Sequence, residues 1–97
     1  MKYARRADGN QADIVKALRA AGCKVIATHT IGQGFPDLVV DFKGRTILIE
    51  VKDPSKPKSD RKLTPQQKEF HDSWTGPIFI VETIEEALAV ATTWRAA

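Results

Sequence analysis

Two carboxylates and one amine are the residues of this 97-residue chain best placed to do chemistry. Asp37 opens the β-rich run Asp37-Leu-Val-Val-Asp-Phe42. Glu50 and Lys52 close a second run, Thr46-Ile-Leu-Ile-Glu-Val-Lys52. Lys43-Gly44 stands between them, so the two runs read as a β-hairpin. An antiparallel pair centred between Lys43 and Gly44 sets Asp37 directly opposite Glu50. Opposed residues project from one face, with Cβ atoms roughly 4.5–5.5 Å apart. Lys52 shares that face through the period of two. The other face carries Leu38, Val40, Phe42, Ile47, Ile49 and Val51, a continuous apolar surface. A register one residue different would put Asp37 and Glu50 on opposite faces.

Facing carboxylates repel, so something must offset them. Either one takes up a proton, or Lys52 neutralises part of the charge, or a hard divalent cation sits between them. Mg²⁺ is held through one or two carboxylates plus waters and substrate phosphates. Such an ion activates water and orients a phosphodiester. Lys52 beside it would hold the attacking water or stabilise charge developing on phosphorus. Its plainer role is a salt bridge to Glu50 or Asp37.

The elements that must position these residues follow from periodicity. Ile14, Val15, Leu18 and Ala21 fall at helical spacing within residues 11–21, and Gly22 stops that helix. Lys24 to Thr28 reads as a short strand, and Thr30 to Pro36, with two glycines and a proline, as a loop. Asp53 to Lys62 is polar, contains two prolines and reads as a mobile connection. Thr64-Pro65-Gln66-Gln67 opens a helix with threonine as N-cap, proline first and Gln67 third, a capping box by itself. Phe70 and Trp74 share a face of that helix. Pro77 to Glu82 holds Ile-Phe-Ile-Val, a buried strand by composition. Thr83 caps a last helix with the stripe Ile84, Ala87, Leu88, Ala91 and Trp94. The order is α-β-β-β-α-β-α, an α/β class with one mixed sheet in a single domain spanning 1–97.

Composition narrows the partners. Hydrophobic content of 42% and charged content of 28% suit an ordinary globular chain. No apolar run approaches the ~20 residues of a membrane span, and Met-Lys-Tyr-Ala-Arg-Arg lacks the apolar stretch of a signal peptide. A cytoplasmic setting without a membrane partner is the expectation. The single Cys23 excludes an internal disulfide and a multi-cysteine zinc site. Net charge is +3 with a pI near 9.2, and the excess is concentrated. Residues 43–62 hold seven basic side chains (Lys43, Arg45, Lys52, Lys56, Lys58, Arg61, Lys62) against Glu50, Asp53 and Asp60. Such an excess favours polyanions, although a solvated loop carries the same charges. Lys56, Lys58, Arg61 and Lys62 are the expected phosphate contacts.

Gly34-Phe35-Pro36-Asp37-Leu38 followed by Ile49-Glu50-Val51-Lys52 resembles the P-D…(D/E)-x-K pattern of restriction-endonuclease-like nucleases. Leu63-Thr64-Pro65-Gln66-Gln67 with Phe70 narrows the resemblance to the VRR-NUC branch, which includes standalone phage and bacterial proteins and the nuclease domain of the Fanconi-associated nuclease. It covers about residues 10–82. The resemblance implies a restriction-endonuclease-like mixed sheet flanked by helices, and an endonuclease dependent on Mg²⁺ or Mn²⁺ that hydrolyses DNA, dimeric and acting on branched structures such as four-way junctions or flaps. It implies that Asp37, Glu50 and the Val51 carbonyl hold metal, that Lys52 is the catalytic lysine and that Gln67 lies near the metal. The branch also places an acid on the first helix, where this chain has Gln11. Either Gln11 serves through its amide oxygen, or Asp13 swings in, or the site has one ligand fewer. Gln11 could equally be a capping-box partner of Asp8. The departure leaves a second class open, a nucleic-acid-binding module that keeps the fold without cleavage.

The remaining reactive side chains carry weaker signals. His29 and His71 are far apart and suit surface or packing roles. Asp41 shares the face of Asp37 but sits toward the turn. Cys23 reads as a small buried residue. Ile84, Leu88, Trp94 and the Trp74 face would either bury in a homodimer contact or close the core of the monomer.

Overall fold

The turn at Lys43-Gly44 fixes the register of the sheet. Both residues have positive φ, +52° and +82°, as the tight two-residue hairpin with matching strand twist requires. The computed structural model, which describes residues 9–95, pairs strand β2 (Leu38–Phe42) with β3 (Arg45–Val51) from Leu38↔Ile49 to Phe42↔Arg45. This is the register expected from the sequence. Strand β1 (Lys24–Ala27) lies antiparallel on the outer side of β2. Strand β4 (Ile78–Val81) lies parallel to β3, giving a mixed sheet in the order β1-β2-β3-β4.

Helices α1 (Gln11–Ala20), α2 (Pro65–Ser73) and α3 (Ile84–Thr93) complete the order α-β-β-β-α-β-α. Helices α1 and α3 contact each other and pack on one face of the sheet. The apolar alternation of the hairpin dictates that face: Leu38, Val40, Ile47, Ile49 and Val51 bury against Ile14 and Leu18 of α1 and Ala87 and Ala91 of α3. Each fully buried Leu or Ile contributes about 1.5–3 kcal/mol. Cys23 belongs to the same cluster, and its burial, aided by the charge of Asp41, pushes the thiol pKa up.

A parallel neighbour cannot be reached by a tight turn; the chain must cross over the sheet. The crossover from β3 to β4 carries α2 onto the face opposite the core. Its start is a capping box: the Gln67 amide donates to Thr64 Oγ1 at 3.1 Å and Gln67 Oε1 accepts from the Thr64 amide at 2.9 Å. Trp74 caps its end, stacks on Phe70 with centroids 5.1 Å apart, and stays 42% exposed.

Two sequence expectations are corrected. The segment 53–62 is not a loose connection. The Asp53 carboxylate accepts from the amide and hydroxyl of Ser55, residues Lys58–Arg61 form a 3-10 turn, and Arg61 pairs with Glu82 at 3.4 Å. Nor is β4 a buried strand: Val81 is buried but Ile80 is 50% exposed. The strand lies at the sheet edge, so composition alone overstated its cover. Asp8, the alternative capping partner of Gln11, lies outside the described residues. Among the described residues no helix is long and apolar enough to cross a membrane.

Candidate active site

Asp37 stands where the β2 ladder stops. Its carbonyl accepts from the Thr28 amide at 2.7 Å, and its own amide donates to the Ile49 carbonyl at 3.1 Å. That last bond is one residue out of step with the pairing from Leu38 onward. The expected Asp37–Glu50 pair therefore falls one step beyond the regular ladder. In this position Asp37 Oδ2 accepts from the Val51 amide at 2.8 Å, where a ladder carbonyl would otherwise stand. Within a strand the N–H and C=O of one residue point to the same side. The Val51 carbonyl is thus directed past the end of β2.

Glu50 and Lys52 occupy the face of β3 that α2 covers. Glu50 is 1% exposed and Lys52 7%, a burial these residue types almost never show unless paired. Gln67 supplies the partner for both. Its Nε2 donates to Glu50 Oε2 at 3.0 Å, and its Oε1 accepts from Lys52 Nζ at 3.0 Å. The capping-box reading of Gln67 holds, since the same Oε1 also accepts from the Thr64 amide. One amide locks the start of α2 and orients an acid and an amine.

His71 is the residue sequence reasoning missed. Its Nε2 lies 3.6 Å from Glu50 Oε1. Burial holds the imidazole below its ordinary pKa, the Lys52 charge adds in the same direction, and Asp72 opposes. The first two effects favour the neutral ring beside Glu50. The signal was available: His71 is four residues beyond Gln67 and so on the same helix face.

The first helix reaches the same end of the sheet. Asn10 Nδ2 donates to the carbonyls of Lys52 at 3.1 Å and Glu82 at 3.0 Å, which pins the start of α1 to the ends of β3 and β4. Gln11 follows, 4% exposed, with Nε2 3.2 Å from Nδ1 of His29. Gln11 Oε1 is buried with no hydrogen-bond partner among the described residues. Asp13 is exposed, so it is Gln11, not Asp13, that this fold turns inward.

These residues suit a hard divalent cation. Two buried carboxylates, a main-chain carbonyl and an orphaned amide oxygen are all oxygen donors of the kind such a cation takes. Among the described residues no group of three or more His, Cys, Asp or Glu could hold a metal ion, so a cation here would need amide and main-chain oxygens as well. The expected phosphate contacts divide: Lys56, Lys58 and Lys62 are exposed, while Arg61 is half-buried on Glu82.

No family model matches the sequence, and no curated protein does. A solved structure described as a VRR_NUC domain superposes with a TM-score of 0.65 over 88% of this chain and 92% of that one, at 23% identity. The fold is that of a VRR_NUC domain. Coverage this broad reaches beyond the hairpin to the flanking elements. What the site does chemically rests on its own residues.

Proposed function

We propose that the chain is a divalent-metal-dependent endonuclease that hydrolyses DNA phosphodiesters, selective for branched DNA such as four-way junctions or flaps. The observation that carries this reading is the burial of Glu50 and Lys52 on one face, both held by Gln67, beside Asp37. Burying an acid and an amine costs free energy that apolar residues would not; a catalytic site explains the cost better than stability does. Asp37, Glu50, the Val51 carbonyl and Gln11 would hold Mg²⁺ or Mn²⁺. The cation supplies charge against the phosphodiester and lowers the pKa of water. Lys52 donates toward the negative charge that develops on phosphorus, and Gln67 fixes its ammonium. The working place of such an enzyme is the cytoplasm of a bacterial or phage-infected cell.

A binding module without cleavage is the second reading. It is favoured by Gln11, a neutral amide where the resembling branch has an acid. Incubating a four-way junction, a flap and a linear duplex of equal length with Mg²⁺ or Mn²⁺, with and without chelator, separates the two. Cleavage that chelator stops, faster on the branched substrates, is the expected result. Binding without cleavage in either metal selects the second reading. Equal cleavage of all three removes the structure selectivity alone.

Cutting both strands, or two arms of a junction, needs two sites, which we assign to a homodimer, since two-fold pairing is the commonest way to supply them. Leu88 and Trp94 are partly buried against the monomer core, which leaves less of their surface for the contact that the sequence suggested. Trp74, Ile80 and Ile84 stay exposed and are what remains for it. Light scattering coupled to size exclusion is expected to give about twice the chain mass of 10.7 kDa; a monomer mass at micromolar concentration overturns the dimer.

Lys56, Lys58 and Lys62 are assigned to DNA phosphates. Neutralising each is expected to weaken binding on every sequence and to flatten the salt dependence by about one unit of slope. Arg61 is expected to contribute less, because Glu82 already engages it. An unchanged slope in the triple variant would make the segment a solvated connection.

A further inference from the structure

Outside the centre around Glu50, the described residues form a groove of about 540 Å³ between α1 and the open edge of β1. Ala12, Val15 and Ala27 make its apolar floor, and Lys16 and Arg19 its basic rim. At one end it is bounded by Gln11 and His29, the pair in contact at 3.2 Å. The groove and the candidate centre therefore share a wall. His29 follows Thr28, whose amide bonds the Asp37 carbonyl. Gln11 follows Asn10, whose amide bonds the Lys52 carbonyl.

We infer that this groove binds the stretch of nucleic-acid strand next to the scissile phosphate, with Lys16 and Arg19 on successive phosphates. The inference rests on the nuclease reading and extends its substrate path. Charge selects the occupant: both side chains at the rim are cations, which suits a polyanion. Spacing agrees. Lys16 lies five residues from Gln11 and Arg19 eight, about 7.5 Å and 12 Å along the helix axis at 1.5 Å per residue. Lys16 and Arg19 are three residues apart and so neighbours on the surface of α1.

The edge of β1 adds a donor. Thr28 directs its amide at β2, so by alternation Val25 and Ala27 direct theirs outward. Arg19 Nη2 already occupies the outward Val25 carbonyl at 2.9 Å, which blunts the strand for pairing with a peptide. Ala27 presents its main-chain N–H to the groove, and the aliphatic floor gives a base or sugar an apolar seat.

The test measures binding apart from cleavage. A fluorescent single-stranded 12-mer is titrated in chelator by anisotropy, across a salt series, with wild type, Lys16→Gln, Lys16→Arg and Ala12→Trp. Both positions are exposed, and a thermal melt confirms that each variant is folded. Lys16→Gln is expected to weaken binding about threefold to tenfold and to reduce the salt slope by about 0.7. Lys16→Arg restores both. Ala12→Trp fills the groove and is expected to weaken binding about tenfold. Wild-type affinity in Lys16→Gln and Ala12→Trp, with binding lost only in the Lys56/Lys58/Lys62 variant, overturns the groove and leaves the nuclease reading standing. A wild-type protein that binds no oligonucleotide overturns the groove, while the nuclease reading is decided by cleavage of the junction with metal.

Discussion

Asp37→Asn and Glu50→Gln are each expected to lower metal-dependent cleavage about a thousandfold or more, while the protein stays folded. A bound cation supplies several kcal/mol of charge stabilisation to the transition state, and each 1.36 kcal/mol is tenfold in rate. The amide replacements matter. Asp37 Oδ2 accepts from the buried Val51 amide. Asp37→Ala would leave that N–H unsatisfied, at about 1–3 kcal/mol, against the relief expected from removing one of two like charges. Asn keeps an acceptor there and removes only the charge. Gln at position 50 likewise keeps an acceptor for Gln67 Nε2. Lys52→Ala is expected to lower kcat about a hundredfold to a thousandfold and to change DNA affinity little, because its proposed work lies in the transition state. Single-turnover cleavage of a labelled junction, with a thermal melt of each variant, makes the measurement. Full activity in Asp37→Asn or Glu50→Gln would remove these residues from the centre.

Gly34→Ala is expected to destabilise the fold by about 2–4 kcal/mol and to take activity with it. Gly34 has φ +80°, and a Cβ there would collide with the main-chain carbonyl of Gln66. The left-handed backbone costs an ordinary residue about 1–2 kcal/mol, and backbone cannot swing aside as a side chain does. The colliding atom sits one residue before Gln67, so the start of α2 must move and carry the clamp off Glu50 and Lys52. Gly32 is the control: it also has φ +80°, but nothing lies within 4 Å of its added Cβ. Gly32→Ala is expected to cost only the backbone amount. Urea melts of the two variants decide the matter. Equal losses would mean that the loop does not bear on α2.

The sequence by itself determined the local parts of this protein. Lys43-Gly44 centres a hairpin whose alternation separates an apolar face from an acidic one, and the structure keeps that register because a slip of one residue would expose Leu38, Val40, Ile47 and Ile49. Thr64-Pro65-x-Gln67 is a helix start that needs no distant partner, and it stands as read. What only the tertiary structure decided depends on the crossover. The parallel placement of β4 carries α2 over Glu50 and Lys52, and this converts a half-exposed hairpin face into a buried site with Gln67 and His71 against it. Periodicity in β3 specifies which residues share a face, not what covers that face. The same holds for Gln11: the resemblance put it where the branch has an acid, but its burial and its contact with His29, 18 positions away, come from the fold. The exposure of Ile80 is the converse case. Four apolar residues in a row describe a strand without saying whether it ends in the middle of a sheet or at the edge, because that is settled by which strand comes to lie beside it.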